Sequence, residues 1–139
     1  IEELHNSQMV YSLYVGEDKE DCIKLDLCYD DDLIFPLIEV DGLRIASEKE
    51  IAAMKIQAIT QTEQRRKDFW DIHELLESYT LSEMIDWGIK RYPWSVTRES
   101  VKDGIERLPY IKDFTEVVCM KGKYWEFIVE DLLEEANTI

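Results

Sequence analysis

The chain has 139 residues, with 31 Asp and Glu against 16 Lys and Arg, for a formal net charge of -15. That length holds one domain with a real core, and 45% hydrophobic residues argue against disorder. A chain this acidic gains no general attraction to phosphate backbones or anionic lipid, so weak or no nucleic-acid binding is expected.

The acidity is uneven: residues 1–50 hold fourteen acidic against four basic residues, and 51–139 hold seventeen against twelve. Apolar runs are short and broken by charge, so no membrane span is expected. Cys22, Cys28 and Cys119 show no C-x-x-C spacing and read as reduced thiols of a cytoplasmic protein. His5 and His73 stand outside any metal or triad motif. The chain opens on Ile1 in mid-pattern, which reads either as part of a longer polypeptide or as the mark of a removed tag.

Gln8 to Val15 alternates and is rich in Val, Tyr and Leu, so a strand is predicted there, followed by a charged turn over 16–21. Cys22 to Tyr29 is a second strand, with Ile23, Leu25 and Leu27 on one face and Lys24, Asp26 and Cys28 on the other. The two pair most economically as a hairpin. Asp26 is either a metal ligand or the exposed side of an antiparallel strand, and the pattern alone favours the second. Asp30-Asp31-Asp32 reads as a solvated turn. Asp41-Gly42, between two short alternations, signals a second, tight hairpin.

Ser47 and Glu50 form an S-x-x-E capping box, which starts a helix. Ile51, Ala52, Ala53, Met54, Ile56, Ala58 and Ile59 then leave almost no polar face, yet Lys55 sits inside that stripe. After the polar joint TQTEQ comes a second helix with Phe69, Ile72, Leu75, Leu76 and Tyr79 inward. At about 100° per residue, Asp68 falls within the inward arc with Arg65 beside it, and Asp71 lies on its border.

An unpaired buried charge is expensive, so Lys55 and Asp68 must find partners, a ligand or a wet cleft. The spacing fits a structural ion pair between packed helices. It also fits a phosphate-binding lysine and an acidic partner lining an active site. Arg65-Arg66-Lys67 either faces a triphosphate or an RNA end, or is a solvated helix start balanced by Asp68 and Asp71.

Thr80 and Glu83 form another capping box, ahead of a helix that ends at Tyr92-Pro93-Trp94. Thr97 caps a helix facing inward through Val101, Ile105 and Leu108, and Pro109 stops it. A connector holds Val117–Met120, with a short strand as one option, and turns at Lys121-Gly122-Lys123. The last helix spaces Trp125, Ile128, Val129, Leu132, Leu133 and Ala136 at helical intervals. Trp87 and Trp94 read as packing residues.

The runs Gly42-Leu43-Arg44-Ile45-Ala46-Ser47, Ile51-Ala52-Ala53-Met54-Lys55 and Arg66-Lys67-Asp68-Phe69-Trp70-Asp71-Ile72 resemble nucleotidyltransferases of the AbiEii/AbiGii toxin type. Leu75-Leu76 and Tyr79 to Met84 continue the likeness, and it extends more weakly from Tyr110 to Trp125. The resemblance implies transfer of a nucleotidyl group from a nucleoside triphosphate to an acceptor with Mg2+, in a protein partnered by an antitoxin. It maps catalytic roles onto Lys55 and Asp68, nucleotide binding onto Arg65, Arg66 and Lys67, and a metal carboxylate onto Asp26.

The family's Gly-Ser turn and following D-x-D pair belong upstream of these motifs, and no Gly-Ser dipeptide occurs in the sequence. The resemblance therefore implies either the C-terminal portion of such a protein, inactive alone and binding Mg2+ weakly, or a relative that has lost the catalytic strand pair. A different reading is a non-catalytic acidic module that binds a protein partner, with Lys55 and Asp68 as structural glue.

The expected fold is α+β: three to five short antiparallel strands near the N-terminus, then a bundle of about five helices, a partial nucleotidyltransferase-like fold. Residues 1–46 form the strand and hairpin region and 47–139 the helical region of one compact domain.

Overall fold

The computed structural model describes residues 2–6, 10–30 and 33–139, the first five through their backbone alone. Gln8 and Met9 of the expected first strand, and Asp31 and Asp32 of the acidic turn, lie outside the described residues. The chain forms two compact units, residues 1–32 and 33–139. The architecture is α+β, with short antiparallel strands followed by five helices.

In the first unit, β1 (Glu2–Asn6), β2 (Val10–Gly16) and β3 (Cys22–Cys28) form an antiparallel sheet in the order β1-β2-β3. The β2–β3 hairpin is the one the alternation predicts, with Ser12 opposite Asp26 and Leu13 opposite Leu25. Its turn is closed by Asp18 Oδ1, which accepts from the Glu20 and Asp21 amides at 2.9 and 2.8 Å. Strand β1 has no counterpart in the alternation reading, because EELHN carries no apolar period to reveal it.

The second unit begins with a hairpin of β4 (Ile38–Val40) and β5 (Leu43–Ile45). Its two-residue turn needs both central residues left-handed. Asp41 has φ 48° and Gly42 φ 78°, which is why D-G marks the site. The helices are α1 (Glu48–Ile59), α2 (Arg66–Leu75), α3 (Leu81–Arg91), α4 (Arg98–Glu106) and α5 (Trp125–Ala136). A single 3-10 turn, Leu108–Tyr110, follows α4 at Pro109.

Ala52, Ile56 and Ile59 of α1 meet Phe69 and Ile72 of α2, Met84 and Ile85 of α3, Val101 and Ile105 of α4, and Ile128 and Leu132 of α5 in one core. Helices approach closely where glycine permits. A Cβ on Gly104 would lie 2.5 Å from the Ile59 carbonyl oxygen, so α4 can seat against the end of α1 only with glycine there.

Some expectations change. The Thr80–Glu83 capping box forms as read, with both reciprocal bonds. At α1 only half of the box forms: Ser47 Oγ accepts from the Glu50 amide at 3.2 Å, but the Glu50 carboxylate turns inward. There it meets the buried Arg91 guanidinium and accepts from the Ile34 and Phe35 amides at 3.3 and 2.8 Å. Glu50 is thus an interior strut joining α1, α3 and the segment before the hairpin.

Ile51 is exposed, because the face of α1 that carries it and Lys55 is not wholly covered. Trp87 packs edge-on against Tyr79, but Trp94 is 76% exposed in the turn after α3. Val117–Met120 forms no strand; 111–119 is irregular. Among the described residues no helix is long and apolar enough to cross a membrane.

Candidate active site

The joint between α1 and α2 brings Lys55 and Asp68 together. Lys55 Nζ donates to Asp68 Oδ1 at 2.8 Å and lies 2.7 Å from Asp71 Oδ2. Asp68 Oδ2 accepts from Arg65 Nε at 3.1 Å. The two carboxylates sit a near-turn apart on α2, so both reach the same lysine.

Burial grades outward across the cluster: the Asp68 side chain is 4% exposed, Lys55 24% and Asp71 50%. One side of the ammonium is therefore closed and the other reachable from solvent. Burial works against the lysine charge, but the bonds Lys55 donates to Asp68 and then Asp71, with their negative charge, outweigh it and hold the pKa above the ordinary lysine value.

The basic run divides. Arg66 turns from its neighbours and lies over the rings of Trp125 and Phe114, at 4.9 and 5.6 Å from their centroids. Its Nε is buried without a hydrogen-bond partner. Arg65 and Lys67 instead line a pocket of about 400 Å³ with Asp113, Thr115, Glu116, Val117 and Val118.

Asp113 explains how the helix starts there. The N-cap Arg65 has no capping side chain, and Asp113 Oδ2 accepts from the Arg66 amide at 2.9 Å in its place. Bonds from Thr115, side chain and amide, and then from the Arg66 amide hold the Asp113 carboxyl down at about 2. Sequence reasoning missed this residue. Its only local mark is the D-x-T spacing that lets Thr115 donate back, and the partner that matters is far away in the chain.

His73 also has a defined place. Its Nε2 pairs with Asp131 at 2.7 Å and its Nδ1 with Lys123 Nζ at 3.1 Å. Lys121 and Lys123 bind Glu74 there, Lys121 first, and hold its carboxyl at about 2. These ties pin the 121–123 turn to α2.

Asp26 belongs to the first unit. It accepts from Ser12 Oγ at 2.5 Å across the β2–β3 pair and lies 3.1 Å from Lys24 Nζ. A magnesium ion takes about six oxygen ligands, several of them water. Among the described residues no three His, Cys, Asp or Glu side chains converge on a point. The described residues therefore do not by themselves fit such an ion, and no step is routed through one.

Short antiparallel strands followed by five helices make an α+β arrangement consistent with a nucleotidyltransferase-like fold. The chain belongs to the family described as nucleotidyl transferase AbiEii toxin, type IV toxin–antitoxin system, which matches residues 5–136.

Two solved structures are similar to it: that of JHP933 from Helicobacter pylori, and that of an H. pylori protein described as a candidate nucleotidyltransferase. Each superposes with a TM-score of 0.63 at 18% identity over 96% of this chain, a likeness of fold. The match covers 60% of the first protein and 62% of the second, so the chain spans about three-fifths of their length. No curated protein matches the sequence.

Proposed function

We propose that the chain carries the lysine and acidic helices of a toxin-type nucleotidyltransferase. It would act on a nucleoside triphosphate and an acceptor when joined to a region bearing the Gly-Ser and D-x-D motifs. The supporting observation is the Lys55 ammonium held between Asp68 and Asp71 on a site open on one side.

A buried strut needs no open side. A phosphate-binding lysine does, because its third donor must reach the ligand. In this reading Asp68 is the fixed anchor that aims Lys55, and Asp71 is the solvent-side partner that a phosphate oxygen replaces. Arg65 and Lys67 offer further positive charge along the neighbouring pocket. Arg66 joins only by leaving its rings.

The acceptor hydroxyl oxygen attacks the α-phosphorus and releases its proton to water, the bond from the α-phosphorus to the bridging oxygen breaks, and pyrophosphate leaves. Lys55 would balance charge on the triphosphate as that bond opens. Asp26, on β3 of the first unit, would offer one carboxylate to Mg2+, whose other ligands would come from outside the described residues. A cytoplasmic setting and an antitoxin partner belong to the same proposal.

The test compares this chain with a longer protein carrying an upstream Gly-Ser and D-x-D. Both are incubated with each labelled nucleoside triphosphate, magnesium or manganese, and total RNA or protein. The longer protein should incorporate label, Lys55→Ala and Asp68→Asn should each lower incorporation by about a hundredfold or more, and the present chain should give background. Undiminished labelling by Lys55→Ala in the longer protein would defeat the proposal.

A further inference from the structure

The C-terminal helix carries a surface that the nucleotidyl-transfer reading leaves unused. Tyr124, the N-cap of α5, and Phe127 in its first turn are 66% and 61% exposed and pack edge to face at 6.1 Å. Exposed aromatics set singly need no explanation, but two in contact hold each other out of the core as one apolar knob. The core side of the helix is already filled by Ile128, Leu132 and Ala136, so Phe127 has no place inward.

Along the same outward line run Glu126, Glu130 and Glu134, four residues apart and all exposed. None has an ion-pair partner among the described residues. Like charges at this spacing on a helix repel, so the stripe weakens its own helix unless something positive lies against it. The lysines closest in the chain do not serve, because Lys121 and Lys123 are engaged by Glu74 and Glu77.

We propose that this face docks a basic amphipathic segment of another protein, with Lys or Arg at helical i, i+4 spacing on either side of an aliphatic residue. The cations would meet the glutamate stripe, and the aliphatic side chain would cover the Tyr124–Phe127 pair. Charge selects this occupant over a second copy. A two-fold pairing of the same surface would set Glu126, Glu130 and Glu134 against their own counterparts. The inference stands apart from nucleotidyl transfer, since no residue of the α1–α2 site takes part.

The probe is a synthetic helix-forming peptide of about 20 residues, with Leu flanked by Lys at i, i+4 spacing, set against a version with every Lys replaced by Glu. Binding of the fluorescent peptide to the full chain is followed by anisotropy. The basic peptide should bind, and the acidic version should not. Phe127→Ser, which removes an exposed ring and leaves the core intact, should weaken binding about tenfold or more, and Glu130→Lys should do the same. Glu99→Lys, an equal charge change on α4, should leave binding unchanged.

No binding by the basic peptide overturns the proposal. So does full binding by Phe127→Ser, or an equal loss with Glu99→Lys, which would mean attraction to bulk charge only. A concentration-dependent dimer of the unaltered chain that Phe127→Ser abolishes would assign the face to a second copy and overturn it as well.

Discussion

Glu50 and Lys55 lie on the same helix, less than two turns apart, and each is a charge drawn wholly or partly out of solvent. Their surroundings differ. Glu50 is wholly buried against Arg91, and its other lone pairs are taken by the Ile34 and Phe35 amides. Lys55 has a closed partner in Asp68 and an open one in Asp71.

Every group of the first pair is satisfied and nothing can reach it, so it serves only to fix where three parts of the chain meet. The second cluster is satisfied too, but through a carboxylate that solvent or a ligand can displace. Openness separates the strut from the proposed site, because both obey the rule that buried charge must be paired.

The sharpest way to break the comparison is to unpair the strut. Glu50→Gln takes the carboxylate charge from beside the buried Arg91 guanidinium and should destabilise the second unit by about 3–5 kcal/mol. A urea melt followed by tryptophan fluorescence would read it. The double variant Glu50→Leu with Arg91→Met removes both charges and should recover much of that loss. A single variant within the error of the parent protein would show that the Arg91 charge is met by another group or by water.

The same substitution at the site should do less. Asp68→Asn weakens charged hydrogen bonds from Lys55 and Arg65, but both cations have an outlet, Lys55 to Asp71 and Arg65 to solvent. The expected loss is about 1–3 kcal/mol, below that of Glu50→Gln in the same melt. An equal or larger loss would make Lys55–Asp68 a second strut and remove the structural ground for the proposed site.

How much of this was legible follows the range of the interactions. Lys55 and Asp68 could be paired from sequence because each sits on the inward arc of its own helix and the helices are consecutive. The hairpin at Asp41-Gly42 and the caps at Ser47, Thr80 and Thr97 were legible for the same reason, since their partners are a few residues away.

Glu50 misled. An S-x-x-E box and a buried ion pair to Arg91 place the same residue type at the same position, and only the fold chooses between them. Asp113 was invisible because it caps a helix from a distant, irregular segment. Arg66 was read with its neighbours because sequence cannot show that Phe114 and Trp125 draw its guanidinium aside. The aliphatic stripe also overstated burial: Ile51 is exposed on the side of α1 that leaves Lys55 reachable.

Alkaline titration sharpens the comparison further, because arginine stays protonated and, of these two clusters, only the one around Lys55 responds. The folded pKa of Lys55 is raised, so its stabilisation is fully present below about 10.5, the unfolded value, and is lost as pH rises through the folded one. The midpoint difference between the parent protein and Lys55→Met should therefore hold steady up to that pH and shrink above it. A gap that stays constant through the alkaline range would mean that the ammonium charge contributes nothing to the cluster.

The smallest expected effect lies at the acid end and tests whether the pocket beside Arg65 and Lys67 is fixed by Asp113. That carboxyl is held at about 2, first by Thr115 and then by the Arg66 amide, against an ordinary value of 3.8. With the folded value depressed, the stabilisation is complete above the unfolded pKa and fades as pH falls through the folded one, so the window runs from 3.8 down to about 2. Asp113 is half-buried and still screened by solvent, which makes the change a modest shift of midpoint. Asp113→Asn keeps the shape of the cap but cannot carry the charge. Its midpoint should lie below that of the parent protein at neutral pH, and the two should converge as the acid window is crossed. Parallel curves across the window would mean that the Arg66 amide is capped as well by a neutral group, and that the start of α2 holds its place without the charge.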